Sequence, residues 1–325
     1  MLKLASLTIC TLLLAACQQS SPEAGGPAST DGGAAAASVA STATAPLDQP
    51  DEAPPPVTAD QLYAGQLDSV LNGDWRSAAD KARDQYRHPQ QTLAFFEVQP
   101  DMSVIEITPG GGWYAKILAP WLAEDGHYVA AVMKPEKPQS EAAQDETALQ
   151  KLFKAHPEQF GKAEVVEFDR NNPVFGPADS ADRVLTFRNA HNWVMGGYAP
   201  AMFQGFFKVL KPGGILGVVD HRADKGADVD KVKGLGYLPL AYVIKLATDA
   251  GFTLDAESEI NANPKDTHDH PKGVWTLPPT LTLGDQDKAK YEAIGESDRM
   301  TLRFIKPKPD QIQKSGMDKA PATPM

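Results

Sequence analysis

Between about residues 58 and 306, short apolar runs alternate with segments whose apolar residues recur at helical spacing. Apolar runs that are bounded by turn residues and separated by helical segments are typical of a parallel sheet covered on both faces. Five runs fit this description: 103–108 (SVIEIT), 127–133 (HYVAAVM), 163–168 (AEVVEF), 182–187 (DRVLTF) and 214–219 (GILGVV). The pattern therefore predicts one large α/β domain with a mostly parallel sheet.

The connecting segments predict helices, and the last two elements differ from the earlier ones. Residues 140–160 are predicted to form a helix with Ser140 as its N-cap. Residues 252–260 and 299–306 (RMTLRFIK) come last and are joined by a long irregular stretch. The second of these two segments alternates between apolar and polar residues, as an antiparallel strand does.

The flanking segments have a different composition from the domain. Residues 18–57 are mostly Ala, Ser, Thr, Gly and Pro, with almost no large apolar residues. Such a segment cannot bury enough surface to offset its ordering entropy, so 17–57 is predicted to be a disordered tether. Its r.m.s. reach is on the order of 35 Å. A second disordered tail, rich in Lys and Pro, is predicted over 307–325, which leaves 58–306 as the folded domain.

The first residues have the pattern of an export signal. Lys3 precedes an apolar run over 4–14 that is too short to span a bilayer. The run ends in LAAC, which resembles the lipobox of bacterial lipoproteins. That resemblance implies removal of residues 1–16 and lipidation of Cys17, whose acyl chains would hold the protein in a membrane. Gln18 after the cysteine implies the outer membrane, facing the periplasm. An ordinary signal peptide cut before Cys17 is the alternative.

Cysteine content and charge exclude several classes of function. The other cysteine, Cys10, lies inside the signal, so the mature chain has no disulfide, cysteine nucleophile or zinc–thiolate site. The net charge is −11, from 42 acidic and 31 basic residues. An acidic protein is repelled by phosphate backbones, which argues against a nucleic-acid partner; a local basic patch is the alternative.

The turn after the first strand is rich in glycine: residues 106–113 read EITPGGGW. Glycines let the backbone approach a ligand closely, and a following helix start offers free N–H groups. In open α/β sheets, ligands bind at the carboxyl ends of the strands, where this turn lies. The turn lacks the G-x-G-x-x-G spacing of dinucleotide-binding loops and the Lys-Ser/Thr of a P-loop. A plain strand-to-helix turn is the alternative.

A resemblance to a known family extends this picture. The segment VIEITPGGGWYAKILAPWL resembles the first motif of the class I S-adenosylmethionine-dependent methyltransferases, in the PGGGWY variant of a family of predicted bacterial methyltransferases. The likeness runs over about 62–306 and includes RDQYRHPQQTLAFF, RNAHNW, LKPGG, AGF and SDRMTLRFIKP. It implies a doubly wound, Rossmann-like sheet of seven strands in the order 3-2-1-4-5-7-6, with the last strand antiparallel. S-adenosyl-L-methionine is the implied cofactor.

The resemblance also implies a cofactor site at the carboxyl ends of the strands. Glu106 matches the acid of the first motif, Gly110 and Gly112 match glycines under the methionine part, and Asp169 matches the acid that bonds adenine. The alternative for Glu106 and Asp169 is an ordinary cap or turn acid, and for Trp113 it is core packing. The full set of expected cofactor contacts is Glu106, Gly110, Gly111, Gly112, Trp113, Met133, Asp169 and Asn189.

Two positions depart from the family pattern. Thr108 stands where the first glycine usually is, and Met133 stands where an acid usually binds the ribose hydroxyls. Lys134 follows and cannot accept hydrogen bonds. Glu136 is the candidate that compensates from the loop.

Candidate catalytic residues follow the fourth and fifth strands. His191 lies in RNAHNW, and Asp220 and His221 come after the fifth apolar run. A histidine titrates near neutral pH and can take a proton from an oxygen or nitrogen nucleophile during methyl transfer. Proximity alone also accelerates such a reaction, and either histidine bonding a neighbouring carbonyl is the alternative. The leading hypothesis is a methyltransferase acting on a small molecule; the alternative is a non-catalytic, lipid-anchored envelope binding protein.

Two further clusters are expected to be structural. His268, Asp269 and His270 lie in a Pro-rich loop, where solvated side chains are expected rather than a metal site. Asp84 and Arg87 are expected on a helix over the site, where they form charge pairs.

Overall fold

A computed structural model of the chain describes residues 59–135 and 147–310. Its sheet has seven strands in the order β3-β2-β1-β4-β5-β7-β6. β7 is antiparallel to both of its neighbours, and the pairs among β1 to β5 are parallel. This confirms the expected fold and strand order. The strands are β1 Ser103–Ile107, β2 His127–Met133, β3 Glu164–Phe168, β4 Ala181–Phe187, β5 Leu210–His221, β6 Thr253–Ser258 and β7 Arg299–Ile305.

Helices cover both faces of the sheet, and each face has its own apolar core. One core includes Phe203 and Leu246, and the other includes Leu93 and Ile117. The helices are α1 Ala59–Leu71, α2 Ala78–Lys81, α3 Asp84–Arg87, α4 Pro89–Phe95, α5 Ala115–Trp121, α6 Ala148–Ala155, α7 Pro157–Phe160, α8 Ala190–Met195, α9 Ala199–Val209, α10 Val229–Val232, α11 Leu240–Asp249 and α12 Lys288–Ile294, with 3-10 turns at Lys233–Leu235 and Gly273–Thr276.

The helix expected over 140–160 is not one continuous element. Ser140 lies outside the described residues, and α6 begins after Thr147, whose hydroxyl accepts from the Gln150 backbone N–H at 3.2 Å. The Gln150 side chain accepts from the Thr147 N–H in return, which makes a capping box. Pro157 then ends α6, because a proline disfavours the helical conformation of the residue before it.

β5 is longer at its carboxyl end than its apolar run predicts. The run ends at Val219, but the strand continues through Asp220 and His221, which pair with β7. The two residues are therefore part of the strand end and not of a loop after it. Pairing with β7 extends the strand because it satisfies the backbone groups of these polar residues.

The expected membrane anchor lies outside the described residues. Cys17, the tether over 17–57 and most of the tail over 307–325 fall there, so these expectations stay predictions. Among the described helices, none combines the length and hydropathy that crossing a bilayer requires.

Candidate functional site

The Gly-rich turn leaves β1 with a left-handed backbone at three positions. Thr108, Gly110 and Gly112 have φ values of 53°, 59° and 80°. This conformation is uncommon for a β-branched residue, and it costs on the order of 1–3 kcal/mol. Thr108 is held in it by two bonds: its N–H donates to the Ala131 carbonyl at 2.8 Å, and its own carbonyl accepts from Asn189 Nδ2 at 3.3 Å. The turn thus keeps a left-handed backbone at Thr108, the position where the first-motif pattern has a glycine.

The three glycines of the turn have different surroundings. A Cβ atom added at Gly110 or Gly111 would meet no heavy atom within 4 Å. A Cβ at Gly112 would lie 2.9 Å from Leu152 Cδ2 and 3.1 Å from Leu149 Cδ1. Gly112 is therefore needed for the close packing of α6, whereas Gly110 and Gly111 border open space.

Gly110 lines a cavity of about 300 Å³, which we call the Gly-rich cavity, and Gly111 follows it in the turn. The cavity lies at the carboxyl ends of β1, β2 and β3. Its lining combines apolar groups with a few polar ones, as ligand cavities usually do. Its lining includes Gly110, Met133, Thr147, Gln150, Val165 and Glu167.

Glu167 supplies a carboxylate that the sequence analysis missed. It pairs in register with Val132, next to Met133, and lines the Gly-rich cavity. Met133 is 40 % exposed in the same cavity. Asp169 instead lines a neighbouring cavity with Lys134, and its Oδ1 accepts from the Asn171 N–H at 2.8 Å. Asp169 thus bonds within its own turn, and Glu167 is the only acid among the described residues that line the Gly-rich cavity.

Glu106 lies in the interior below the turn. Its Oε2 accepts from the Tyr128 hydroxyl at 2.7 Å, and burial raises the pKa of Glu106 to about 7. The Gly-rich cavity does not include its side chain among the lining residues. Glu106 is therefore bonded to Tyr128 of β2 and does not line the Gly-rich cavity.

Trp113 and Asn189 are also structural supports. Trp113 is 8 % exposed, donates from Nε1 to the Asp80 carbonyl at 3.1 Å and packs against the guanidinium of Arg87, 4.6 Å from the ring centre. These contacts of Trp113 are the core packing that is the alternative to a cofactor contact. Asn189 donates from Nδ2 to the Ile107 carbonyl at 2.9 Å, which ties the loop after β4 to the end of β1.

A second cluster forms at the ends of β4 and β5. His191 Nδ1 lies 2.8 Å from Asp220 Oδ1, and both side chains are buried. Asp220 also accepts the backbone N–H groups of His191 and His221 at 3.2 and 2.7 Å. Because an ionised carboxylate only accepts, Nδ1 of His191 carries the proton, and Nε2 of the neutral ring is left as the acceptor.

His221 is held in its neutral form. Its Nδ1 hydrogen-bonds the Ser297 hydroxyl, and its ring centre lies 4.8 Å from that of His191. Burial is the main reason that the pKa of His221 falls well below its usual value, and electrostatic interactions with His191 and with the positive charge of Arg188 add to the effect. His191, whose Nδ1 is bonded to Asp220 and whose Nε2 is left as an acceptor, is therefore the candidate proton acceptor of the two.

Both histidines line a cavity of about 160 Å³, which we call the histidine cavity. Arg188, Trp275 and Ser297 also line it, and it shares no lining residue with the Gly-rich cavity. Trp275 and Ser297 come from the segment between β6 and β7, which showed no periodic pattern in the sequence. The two cavities lie on either side of the β1–β4 boundary, where the strand order reverses and ligands of such sheets bind.

The three side chains at the histidine cavity do not suit a metal ion. Their potential ligand atoms all lie within 4.8 Å of one another. However, Asp220 and His191 use those atoms to bond each other. The positive charges of Arg188 and Arg299 also act on His221, which opposes a further cation. The arrangement favours proton transfer over metal binding.

The other histidine cluster is also structural. His268 Nδ1 lies 2.9 Å from Asp224, and His270 Nε2 lies 2.9 Å from Asp266. His270 is buried, so the expectation of a solvated side chain is wrong for it. Its pairing with an aspartate explains how a polar ring is accommodated there.

A larger cavity of about 630 Å³ lies beyond the end of β5 and contains none of the predicted site residues. Arg222, Leu240 and His268 line it. Because it is away from the β1–β4 boundary, it is not the expected position for a ligand of this fold.

No protein-family model matches the chain, and no curated protein matches it in sequence. Several solved structures are similar to it. One is a SAM-dependent methyltransferase from Aquifex aeolicus, with 16 % identity, a TM-score of 0.45, and coverage of 75 % of this chain and 98 % of that one. Another is a TehB-like SAM-dependent methyltransferase from Corynebacterium glutamicum, with 12 % identity, a TM-score of 0.42, and coverage of 75 % and 98 %. A third is human N-acetylserotonin methyltransferase in complex with SAM, with 13 % identity, a TM-score of 0.44, and coverage of 76 % and 57 %. At these identities the likeness concerns the fold.

Proposed function

We propose that the protein is an S-adenosylmethionine-dependent methyltransferase that acts on a small molecule. The observation that carries the proposal is the pair of cavities on either side of the β1–β4 boundary. One is bordered by glycines with free space above them, and the other contains a buried His191–Asp220 pair. A transferase needs a donor site and an acceptor site that lie next to each other in this way.

The Gly-rich cavity has groups that fit the cofactor. Open space above Gly110 and Gly111 admits a ligand against the backbone. Met133 and Val165 offer apolar contacts to a base, and Glu167 offers carboxylate oxygens to ribose hydroxyls. Glu167 thus takes the part that the family's acid at the Met133 position would have. When bound, the cofactor supplies a methyl group on a sulfonium ion.

His191 is the proposed proton acceptor. The acceptor's oxygen or nitrogen takes the methyl group, and its proton passes to Nε2 of His191. Asp220 holds the Nδ1 proton and stabilises the imidazolium that forms. His221 and Ser297 keep the neighbouring ring in place. Proximity of the two sites supplies the rest of the acceleration.

Gly111→Val is expected to weaken the binding of S-adenosylmethionine at least tenfold. The added side chain would occupy the open space, while the φ of Gly111 lies outside the left-handed region, so the fold should tolerate it. Calorimetric titration of the full chain in detergent, with the cofactor and with S-adenosylhomocysteine, measures the effect. Gly234→Val is the matched control, because a Cβ there also meets no atom within 4 Å but lies elsewhere. Unchanged affinity in Gly111→Val would show that the proposed pocket is wrong.

The alternative, a binding protein that keeps the fold without turnover, is tested by the same protein. Such a protein would bind S-adenosylmethionine but would not convert it to S-adenosylhomocysteine. We also propose that Cys17 anchors the chain to the cell envelope, since it is the cysteine that ends the LAAC motif. Intact-mass analysis of the membrane-extracted protein checks it, and an unlipidated mature chain would contradict it.

A further inference from the structure

Four arginines surround a single buried glutamate, Glu296, which lines the histidine cavity. Glu296 accepts from Arg83 Nε at 2.7 Å, from Arg87 Nε at 3.1 Å and from Arg299 Nη1 at 3.1 Å. Arg188 is the fourth cation whose charge acts on it. One carboxylate cannot neutralise four guanidinium groups, and the remaining positive charge is buried in a protein whose net charge is −11.

The pKa values of these arginines reflect their burial and the excess of positive charge around them. Burial lowers the pKa of Arg87 to about 9, and the charge of Arg188 is the next largest cause. The pKa of Arg188 falls to about 10, again mainly through burial. Buried cations are costly without counter-ions, so a site of this kind is completed by an anion. The charge of Asp220 also acts on Arg188, but the hydrogen bonds that its oxygens accept come from His191 and His221 and not from the guanidinium.

Arg188 is the arginine of this group whose guanidinium lines the histidine cavity. Among the described residues, none forms a hydrogen bond or ion pair with its guanidinium, although the group lines the histidine cavity. Its backbone is left-handed, with φ of 61°, a strained conformation that clusters at ligand sites. Next to it, Nη2 of Arg87 is buried without a partner. Arg87 is 2 % exposed, so bulk solvent does not reach this group.

The shape of the cavity limits the ligand. About 160 Å³ corresponds to the space of roughly five water molecules. A guanidinium offers two parallel N–H groups that match the two oxygens of a carboxylate. The cavity also contains the His191–Asp220 pair and shares no lining residue with the Gly-rich cavity. The anion therefore belongs to the molecule that faces His191.

We infer that the methyl acceptor is a small carboxylic acid whose carboxylate binds Arg188 in the histidine cavity. This inference rests on the proposed function. The carboxylate stays bound and unchanged, while a hydroxyl or amino group on the same molecule faces His191. In the transfer, the sulfur–methyl bond breaks and an oxygen–methyl or nitrogen–methyl bond forms. The sulfur keeps the electron pair, and the acceptor's proton moves to His191 Nε2.

Propionate and its neutral isostere propionamide test the charge requirement. Saturation-transfer NMR on the full chain in detergent is expected to detect saturable propionate binding and at least tenfold weaker propionamide binding. Arg188→Met should weaken propionate binding at least tenfold. Arg303→Met is the matched control, because Arg303 pairs with Glu97 and Asp255 away from the cavity. Arg188→Gly suits the left-handed backbone and keeps the test valid if Arg188→Met unfolds, as judged by thermal unfolding.

Cofactor titrations of the same variants separate this inference from the proposed function. Arg188→Met should bind S-adenosylmethionine like the parent. If it instead loses cofactor binding tenfold and keeps propionate binding, the arginine binds the cofactor's own carboxylate and the inference is wrong. Equal propionate binding in parent and Arg188→Met also overturns it, whether or not the cofactor binds. If the parent binds propionate through Arg188 but no cofactor, the anion site stands and the methyltransferase proposal fails.

Discussion

Asp220→Asn is expected to lower the methyl-transfer rate about a hundredfold to ten-thousandfold, the range of general acid–base contributions. Asp220 is fully buried and accepts from His191 Nδ1 at 2.8 Å. An asparagine can turn its amide donors towards the ring, which favours the tautomer whose Nε2 carries a proton and cannot accept another. The rate of S-adenosylhomocysteine release with a mixture of small hydroxy and amino carboxylic acids measures the loss.

A second readout for Asp220→Asn does not depend on the acceptor. The ¹⁵N shifts of His191 should indicate a proton on Nδ1 in the parent and a shift towards Nε2 in the variant. Asp224→Asn is the control, because Asp224 pairs with His268 outside the histidine cavity. A parent that turns over at the same speed as Asp220→Asn would remove His191 from the mechanism.

Glu106→Gln is expected to remove much of the pH dependence of stability between about pH 4.5 and 7. Burial raises the pKa of Glu106 from 4.5 to about 7, so the folded state holds a proton over this range that the unfolded state releases. The stabilising contribution is complete below the unfolded pKa and is lost as the pH rises through the folded one. A pKa difference of this size corresponds to a change on the order of 3 kcal/mol in the free energy of unfolding.

The glutamine cannot ionise and still accepts from the Tyr128 hydroxyl, so the variant should gain stability relative to the parent as the pH rises. Urea unfolding of both proteins at pH 5 and pH 7.5 measures the difference. Glu124→Gln, at an exposed position, controls for loss of a surface charge. Identical pH dependence in the parent and Glu106→Gln would mean that Glu106 ionises in the interior as readily as in water.

The cofactor side of the site could be predicted only in part from the sequence. The Gly-rich turn was recognisable because its glycines and the preceding strand are contiguous. Glu167 was not, because nothing local distinguishes it from Asp169, two residues further on. Which of two acids reaches a cavity depends on the register of β3 against β2, where Glu167 pairs with Val132. That register is a property of the sheet and not of the segment.

The acceptor side depends still more on distant residues. The sequence pointed to His191, Asp220 and His221 as separate segments, and β4 and β5 bring them together because the two strands are neighbours. The arginines around Glu296 come from α3, its preceding residue, the loop after β4 and the start of β7. Residues 209 positions apart, such as Arg87 and Glu296, leave no mark in the local pattern.

By itself, the sequence determined the parallel strands and the position of the Gly-rich turn, since apolar runs and glycines act on their immediate neighbours; the strand order was implied by the family resemblance. Tertiary structure alone decided the titration and the partners of the site's groups: the raised pKa of Glu106, the lowered pKa of His221, and a guanidinium of Arg188 that no described residue bonds. Those properties follow from burial and from charges contributed by other elements, and both exist only once the sheet and its covering segments have assembled.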